Sequence, residues 1–189
     1  MSSTAKANVT RSERNDHSFV ARVLTIYTKP AQILIKRHFA RLDASFLRLS
    51  NDFLWMNDDQ HILAMIQKRT EIISEFATEI DGIIETYKAN LQKHHINAVD
   101  IKKLKPIETV SLELHASASV EAVSLFKKLD LIFLLLEAMK QNGLIDELAF
   151  VHTCNAWKTS TGVFVKNIHE LRTQLMQESQ ARLNPKSNR

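Results

Sequence analysis

The residues of this chain best suited to chemistry are cationic side chains that could contact a nucleic acid. Five of them fall between positions 22 and 41: Arg22, Lys29, Lys36, Arg37 and Arg41. A guanidinium can donate two parallel hydrogen bonds to O6 and N7 of guanine, whereas contacts of Lys or Arg with phosphate carry no sequence information. We therefore assign base recognition to Arg22 and phosphate contacts to the other four residues.

The same residues belong to an uneven distribution of charge along the chain. Nine of the 25 Lys and Arg residues lie in the first 48 positions, which hold only three acidic residues, so this segment has a net charge of +6. The rest of the chain sums to −2. Segregated positive charge indicates a polyanionic partner, here double-stranded DNA. The alternative is that these side chains form only the solvated face of a helix.

Other reactive side chains do not form a catalytic or metal-binding pattern. His94 and His95 are adjacent, and His152 and Cys154 are two positions apart, whereas metal-binding pairs on helices are three or four apart. The single cysteine excludes an internal disulfide and is typical of a reducing compartment. Three glycines cannot form a phosphate-binding loop. We expect no enzyme activity, metal, cofactor or small-molecule ligand.

A strand and a helix must position the cationic residues. The first strand is predicted over Phe19–Thr28, where β-branched and aromatic residues dominate and both faces are partly apolar, so we expect both to be covered over part of its length. Pro30 suits the first turn of a helix over about 31–49. An apolar stripe follows that helix, and the basic residues lie off it: the stripe is Ile35, Phe39, Leu42, Phe46 and Leu49.

A second strand is predicted over Ile107–His115. Its apolar residues Val110, Leu112 and Leu114 alternate with a polar face of Thr109, Ser111, Glu113 and His115. Glu113 would repel phosphate, although it could accept a hydrogen bond from cytosine N4, so we interpret this strand as structural. Two isolated strands must pair with each other or with a second copy of the chain. No internal repeat is obvious, although a strand precedes a helix twice.

Long helices account for most of the remaining chain, since it has only three glycines and three prolines. One is predicted from a cap at 57–59 to about His95, and its apolar stripe from Ile62 to Tyr87 must pack on other helices or on a second copy. Another is predicted from a cap at Ser117 or Ser119 to Gln141, ended by Asn142-Gly143 and buried in the core. Two further helices are predicted, over Asp146–Trp157 and from Val163 to about Arg182.

The predicted domain organisation is a flexible basic arm over 1–17, one mostly helical domain over 18–182 and a disordered tail over 183–189. The N-terminal residues lack the apolar segment of a secretory signal. The longest apolar run, Leu131–Leu136, covers six residues, far short of the roughly 20 that span a membrane. We expect a cytoplasmic protein without a membrane partner.

Two stretches resemble the AcaB-type regulators of conjugative plasmids and integrative conjugative elements. The first is Val23-Leu-Thr-Ile-Tyr-Thr-Lys-Pro-Ala-Gln-Ile-Leu; the second comprises Val110-Ser-Leu-Glu-Leu, Leu129-Asp130-Leu131 and Asn142-Gly143-Leu144-Ile145. This resemblance implies a dimeric, ribbon-helix-helix-like DNA-binding protein that activates transcription of transfer genes. The expected fold is mainly α with a short β-ribbon, a ribbon-helix-helix-like unit elaborated by long packed helices.

The sequence thus supports two hypotheses about function. The first is a homodimeric, sequence-specific DNA-binding transcriptional regulator of conjugative transfer genes. The alternative is a helical scaffold or adaptor, in which the basic face binds an acidic protein and the stripe from Ile62 to Tyr87 holds a partner helix.

Overall fold

The structure is a computed structural model that describes residues 20–55, 59–96 and 104–183. Its elements follow the order β1 (Val20–Ile26), α1 (Lys29–Trp55), α2 (Asp59–Lys93), β2 (Glu108–Leu114), α3 (Ser117–Gln141) and α4 (Glu147–Leu183). The fold is therefore mainly α with a short β-ribbon, as expected from the sequence. The predicted arm and nearly all of the predicted tail lie outside the described residues.

The two strands pair with each other within one chain. They form a two-stranded antiparallel sheet in which Val20 lies opposite Leu114 and Ile26 opposite Glu108. Val23 and Ser111 face each other at its centre. Of the two pairings that the sequence left open, the structure has the intramolecular one, so a single chain completes the ribbon.

The ribbon has one buried and one exposed face. Leu24, Ile26, Leu112 and Leu114 are buried against the helices, whereas Thr109, Ser111 and Glu113 are exposed, which confirms the predicted alternation of the second strand. The first strand is covered on both sides only near its end. Its Thr25 is half-buried, but 63% of Val23 is exposed.

The stripe predicted for the first helix forms its buried side. All five stripe residues of α1 are at most 5% exposed, and the helix continues beyond the predicted end to Trp55. Thr28 starts the helix, because its carbonyl oxygen accepts the N–H of Gln32 at 3.1 Å and its hydroxyl accepts that of Ala31 at 3.4 Å.

Helix α2 packs on α3 and α4 of the same chain, which is one of the two options expected for its apolar stripe. Phe76 stacks on Phe164 of α4 with ring centroids 4.5 Å apart and planes within 11°. The helix ends at Lys93, and His95 in the turn that follows has a left-handed φ of 58°. The N–H of Ile96 then donates to the carbonyl oxygen of Leu91 at 3.0 Å, as in other helix C-terminal caps.

Helix α3 lies in the centre of the core, as predicted from its apolar run. It contacts the other three helices and both strands. Its C-terminal cap is confirmed: Gly143 has a φ of 70° and donates its N–H to the carbonyl oxygen of Lys140 at 3.0 Å. The predicted serine N-cap is wrong. Ala116 precedes the helix without a side-chain cap, because Ser119 donates its hydroxyl to a buried aspartate instead.

The last two predicted helices are one helix. Asp146 caps α4 by accepting the N–H of Ala149 at 2.7 Å, and the helix runs without a break through Gly162 to Leu183. The division was wrong because the buried side is continuous across the supposed junction, from Cys154 and Trp157 through the fully buried Thr161. No helix within the described ranges has the length and apolarity needed to cross a membrane.

A sequence repeat underlies this architecture, contrary to the expectation that none is obvious. The spacing Phe-x-x-Leu-Asp-x-x-Phe occurs in α1 over Phe39–Phe46 and in α3 over Phe126–Phe133. The first phenylalanines of the two copies contact each other edge to face, with centroids 5.9 Å apart. The order strand–helix–helix therefore occurs twice along the chain, and the repeated spacing lies in the first helix of each of these two units.

Candidate nucleic-acid interface

A buried aspartate of α3 fixes the junction between β1 and α1. Asp130 Oδ2 accepts the N–H of Tyr27 at 2.8 Å, and its Oδ1 accepts both the N–H of Thr28 at 3.0 Å and the Thr28 hydroxyl at 2.6 Å. Asp130 is only 5% exposed. Because Thr28 starts α1, this carboxylate sets the direction in which the basic helix leaves the ribbon.

The equivalent aspartate of α1 fixes the junction between β2 and α3. Asp43 Oδ1 accepts the N–H of His115 at 3.1 Å and the hydroxyl of Ser119 at 2.5 Å, and Asp43 Oδ2 lies 2.7 Å from His115 Nδ1. Each unit therefore caps the strand–helix junction of the other. Sequence reasoning missed both roles, although each Asp shares a helix face with Phe residues four positions before it and three after it.

Burial of Asp130 has an electrostatic cost. Desolvation raises the pKa of its carboxyl group, and the hydrogen bonds from Thr28 and Tyr27 offset this rise only in part. The buried carboxylate satisfies three hydrogen-bond donors, and these bonds offset part of the cost of its burial.

The exposed face of α1 carries only positive charge. Its exposed charged residues are Lys29, Lys36, Arg37, Arg41 and Arg48. The two acidic residues of the helix point elsewhere. Asp43 is buried, and Asp52 Oδ2 lies 3.2 Å from Arg172 Nε of α4, in an ion pair without the geometry of a hydrogen bond. We call this surface the basic face of α1.

The members of the basic face differ in how free their charges are. Lys36 Nζ lies 2.9 Å from Glu108 Oε1, and Gln32 donates to the same carboxylate at 2.6 Å. These two hydrogen bonds hold the pKa of Glu108 below its usual value. No described residue forms an ion pair with Arg37 or Arg41, so their charges are the more available ones.

The pKa of His38 is affected by burial and by the positive charges of Arg37 and Arg41. Burial lowers the pKa of its imidazole, and the charges of Arg37 and Arg41 lower it further. The lowered pKa favours the neutral imidazole, so His38 adds less positive charge to the basic face.

Arg22 lies apart from the other four predicted site residues. It is exposed, but it stands opposite Leu112 on the side of the ribbon that carries Leu24. It lies four residues before the end of β1, or about 13 Å at 3.3 Å per strand residue. Lys29, Lys36, Arg37 and Arg41 all lie on the single helix α1, over about 18 Å along its axis. The structure thus gathers the four predicted phosphate contacts on α1 and separates them from Arg22.

The outward face of the ribbon holds candidates for base contact that sequence reasoning did not select. Side chains alternate between the two faces of a strand, so this face is the one that Leu24 and Leu112 do not occupy. Its residues are Ala21, Val23, Thr25, Thr109, Ser111 and Glu113. The alternation of the second strand already predicted that Thr109, Ser111 and Glu113 lie on one polar face. Intramolecular pairing is what places Val23 and Thr25 beside them.

The described residues offer little for other chemistry. Within them, no three His, Cys, Asp or Glu side chains come together as a metal site. Cys154 is buried, and this burial raises the pKa of its thiol, which disfavours the reactive thiolate.

Comparison with known proteins identifies a similar fold. No family model matches the chain, and no curated protein matches its sequence. The structure is similar to the crystal structure of selenomethionine-containing AcaB from uropathogenic E. coli, with a TM-score of 0.81 and 14% sequence identity over 88% of this chain and 86% of that one. This likeness shows a shared fold.

Proposed function

We propose that this chain is a sequence-specific, double-stranded-DNA-binding transcriptional regulator that activates conjugative transfer genes. The observation that carries the proposal is the basic face of α1, on which every exposed charge is positive, next to a ribbon with an open outward face. The fold shared with AcaB and the resemblance to AcaB-type regulators support the assignment to transfer genes.

The ribbon has suitable dimensions for the major groove. Its seven residue pairs extend for about 23 Å, and the groove, about 12 Å wide, admits a two-stranded ribbon. On the outward face, Ser111 and the two threonines Thr25 and Thr109 can donate to or accept from base edges. The exposed Val23 can contact a thymine methyl group, and Glu113 can accept from cytosine N4.

The basic face of α1 would bind the phosphates that flank the ribbon. Arg37, Arg41 and Lys29 suit this role because no described residue forms an ion pair with them. Lys36 would first have to leave Glu108, so we expect a smaller contribution from it. Base recognition by Arg22 stays a prediction.

One chain supplies both strands of the ribbon, so we propose that a single chain occupies one ribbon-binding site on DNA. The homodimer stays a prediction that would place two such sites on one operator. The molar mass of the protein in solution, measured by light scattering with and without operator DNA, distinguishes one chain from two.

The test is the binding of fluorescently labelled duplex DNA at a series of salt concentrations. We expect affinity to fall steeply with salt, and we expect Arg37→Ala and Arg41→Ala each to weaken binding to all sequences and reduce the log–log slope by about one unit. Lys88→Ala is a matched control, because Lys88 on α2 is paired with Glu85 at 2.9 Å. Unchanged affinity and slope in both arginine variants would exclude the basic face as the DNA-binding surface.

The packing of α2 favours the regulator over the adaptor alternative. From Ile73 to Tyr87 the apolar stripe packs into the core of the same chain, so this part of it is not a free surface for a partner helix. An absence of salt-dependent binding to duplex DNA would nevertheless favour the adaptor.

A further inference from the structure

A groove of about 590 Å³ runs beside the start of α1 and is not used by the proposed DNA-binding function, except at Lys29. Its walls come from four places: the β1–α1 junction, the segment that leads into β2, the C-terminal half of α3 and the N-terminal half of α4. Its volume lies in the usual range for ligand sites.

Part of the groove lining is apolar and exposed. Ile107 is 50% exposed, Ile33 43% and Leu104 38%, and Phe150 and Leu134 also contribute apolar side chains to the lining. Exposed apolar residues that occur singly are normal, but a contiguous set around one concave surface indicates a binding site.

The rim of the groove is basic. Lys29, Lys105 and Lys158 line it, and no described residue forms an ion pair with any of them. The one acidic residue in the lining, Glu137, lies 3.9 Å from the ammonium of Lys140. A ligand with negative charge at its edges and apolar groups at its centre would complement this arrangement.

We propose that this groove docks a short acidic segment, bearing bulky apolar side chains, of another protein. Its acidic groups would pair with Lys105 and Lys158, and its apolar groups would cover Ile107 and Ile33. The open shape of the surface and the exposure of these two isoleucines favour a protein segment over an enclosed small molecule. Once bound, the segment would lie against Tyr27–Pro30, where Asp130 fixes the direction of α1.

Two occupants from this chain complement the groove poorly. Residues 1–19 carry Lys6, Arg11 and Arg14 against two acids, so their charge has the same sign as the rim. A second copy could offer the acidic side of α2, but beside Glu71, Glu75 and Glu79 that surface exposes Thr and Ser rather than apolar side chains.

The test uses a fluorescein-labelled synthetic peptide of 12 alternating Glu and Leu or Phe residues, titrated with the full chain and followed by anisotropy. We expect Ile107→Ser and Lys105→Glu each to weaken binding by about tenfold or more, as at other interface centres. Lys88→Glu is the charge control, because Lys88 on α2 is not among the residues that line the groove, and this variant should bind the peptide like the wild type. Circular dichroism and thermal melting establish that each variant is folded.

The peptide's own features provide the second set of controls. A peptide with Lys in place of Glu, and one with Ser in place of Leu and Phe, should both fail to bind. Equal binding of either control peptide, unchanged binding by both groove variants, or no binding of the acidic peptide up to 1 mM would each overturn the proposal. Self-association that Ile107→Ser abolishes would assign the groove to a second copy instead. Since none of these measurements uses DNA, their failure is distinct from failure of the proposed function.

Discussion

Replacement of Asp130 by Ala should destabilise the fold more than any other loss of a carboxylate in α3. The substitution removes the acceptor for three donors, the N–H groups of Tyr27 and Thr28 and the hydroxyl of Thr28. Each intramolecular hydrogen bond contributes about 1 kcal/mol, or more when its partner is left buried and unpaired. Relief of the carboxylate's desolvation offsets part of this loss. We therefore expect the free energy of unfolding to fall by about 2–4 kcal/mol.

Urea denaturation at pH 7, followed by circular dichroism, measures this difference. Asp81→Ala is the matched control, because Asp81 is an exposed aspartate that pairs with Lys128 at 2.7 Å, and its loss should cost about 0–1 kcal/mol. A midpoint for Asp130→Ala equal to that of the control would refute the capping role. The variant should also bind duplex DNA less tightly, since α1 would no longer leave the ribbon in a fixed direction.

The pH dependence of the same site has a definite sign. Burial raises the pKa of Asp130 in the folded state above its unfolded value. The folded state then binds the proton more tightly, so the proton-linked part of the stability from Asp130 is complete below the unfolded pKa and is lost as the pH rises through the folded pKa, whereas its carboxylate still accepts the three hydrogen bonds at pH 7. The free energy of unfolding of the wild type, minus that of Asp130→Asn, should decline from about pH 4 towards pH 7. A difference that increases over this range would show that the hydrogen bonds outweigh desolvation.

Three further substitutions test the junctions and caps by urea denaturation. Asp43→Ala should lower the free energy of unfolding by about 2–4 kcal/mol, because it removes the acceptor of the His115 N–H and of the Ser119 hydroxyl; an effect below 1 kcal/mol would argue against reciprocal capping. Gly143→Ala should cost about 1 kcal/mol from its φ of 70° alone, since nothing lies within 4 Å of the added Cβ, and a neutral result would contradict this. His95→Gly should stabilise the protein by about 0.5 kcal/mol by relieving its φ of 58°, whereas destabilisation would show that the imidazole has a structural role.

Local patterns predicted much of the fold. The stripe of α1 and the alternation of β2 appear as expected, since period 3.6 and period 2 reflect burial on one side. The Asn142-Gly143 cap was also predictable, because glycine adopts its backbone conformation without strain. The single helix α4 was not. Thr159, Ser160 and Gly162 weaken helix propensity, and the packing of their buried neighbours Trp157, Thr161 and Phe164 overrides it.

The candidate site was predictable in part. Sequence analysis identified the cations of α1, because they lie off its apolar stripe. It could not decide that β1 and β2 pair within one chain, since strand pairing is a long-range choice that alternation does not encode. It therefore could not select Val23 and Thr25 for the outward face. The capping roles of Asp43 and Asp130 left one trace in the sequence. Each Asp lies at the same spacing between two phenylalanines of its helix.

The measurement that tests the central claim most directly is selection of bound sequences from a random duplex library by the wild type, Ser111→Ala and Arg22→Ala. The account predicts a defined enriched motif for the wild type, with the base preference at one position relaxed by about 1–3 kcal/mol in Ser111→Ala. If Arg22→Ala loses the base preference at one position and Ser111→Ala does not, Arg22 is the residue that recognises the base. No enriched motif for the wild type would contradict sequence-specific DNA binding by this chain.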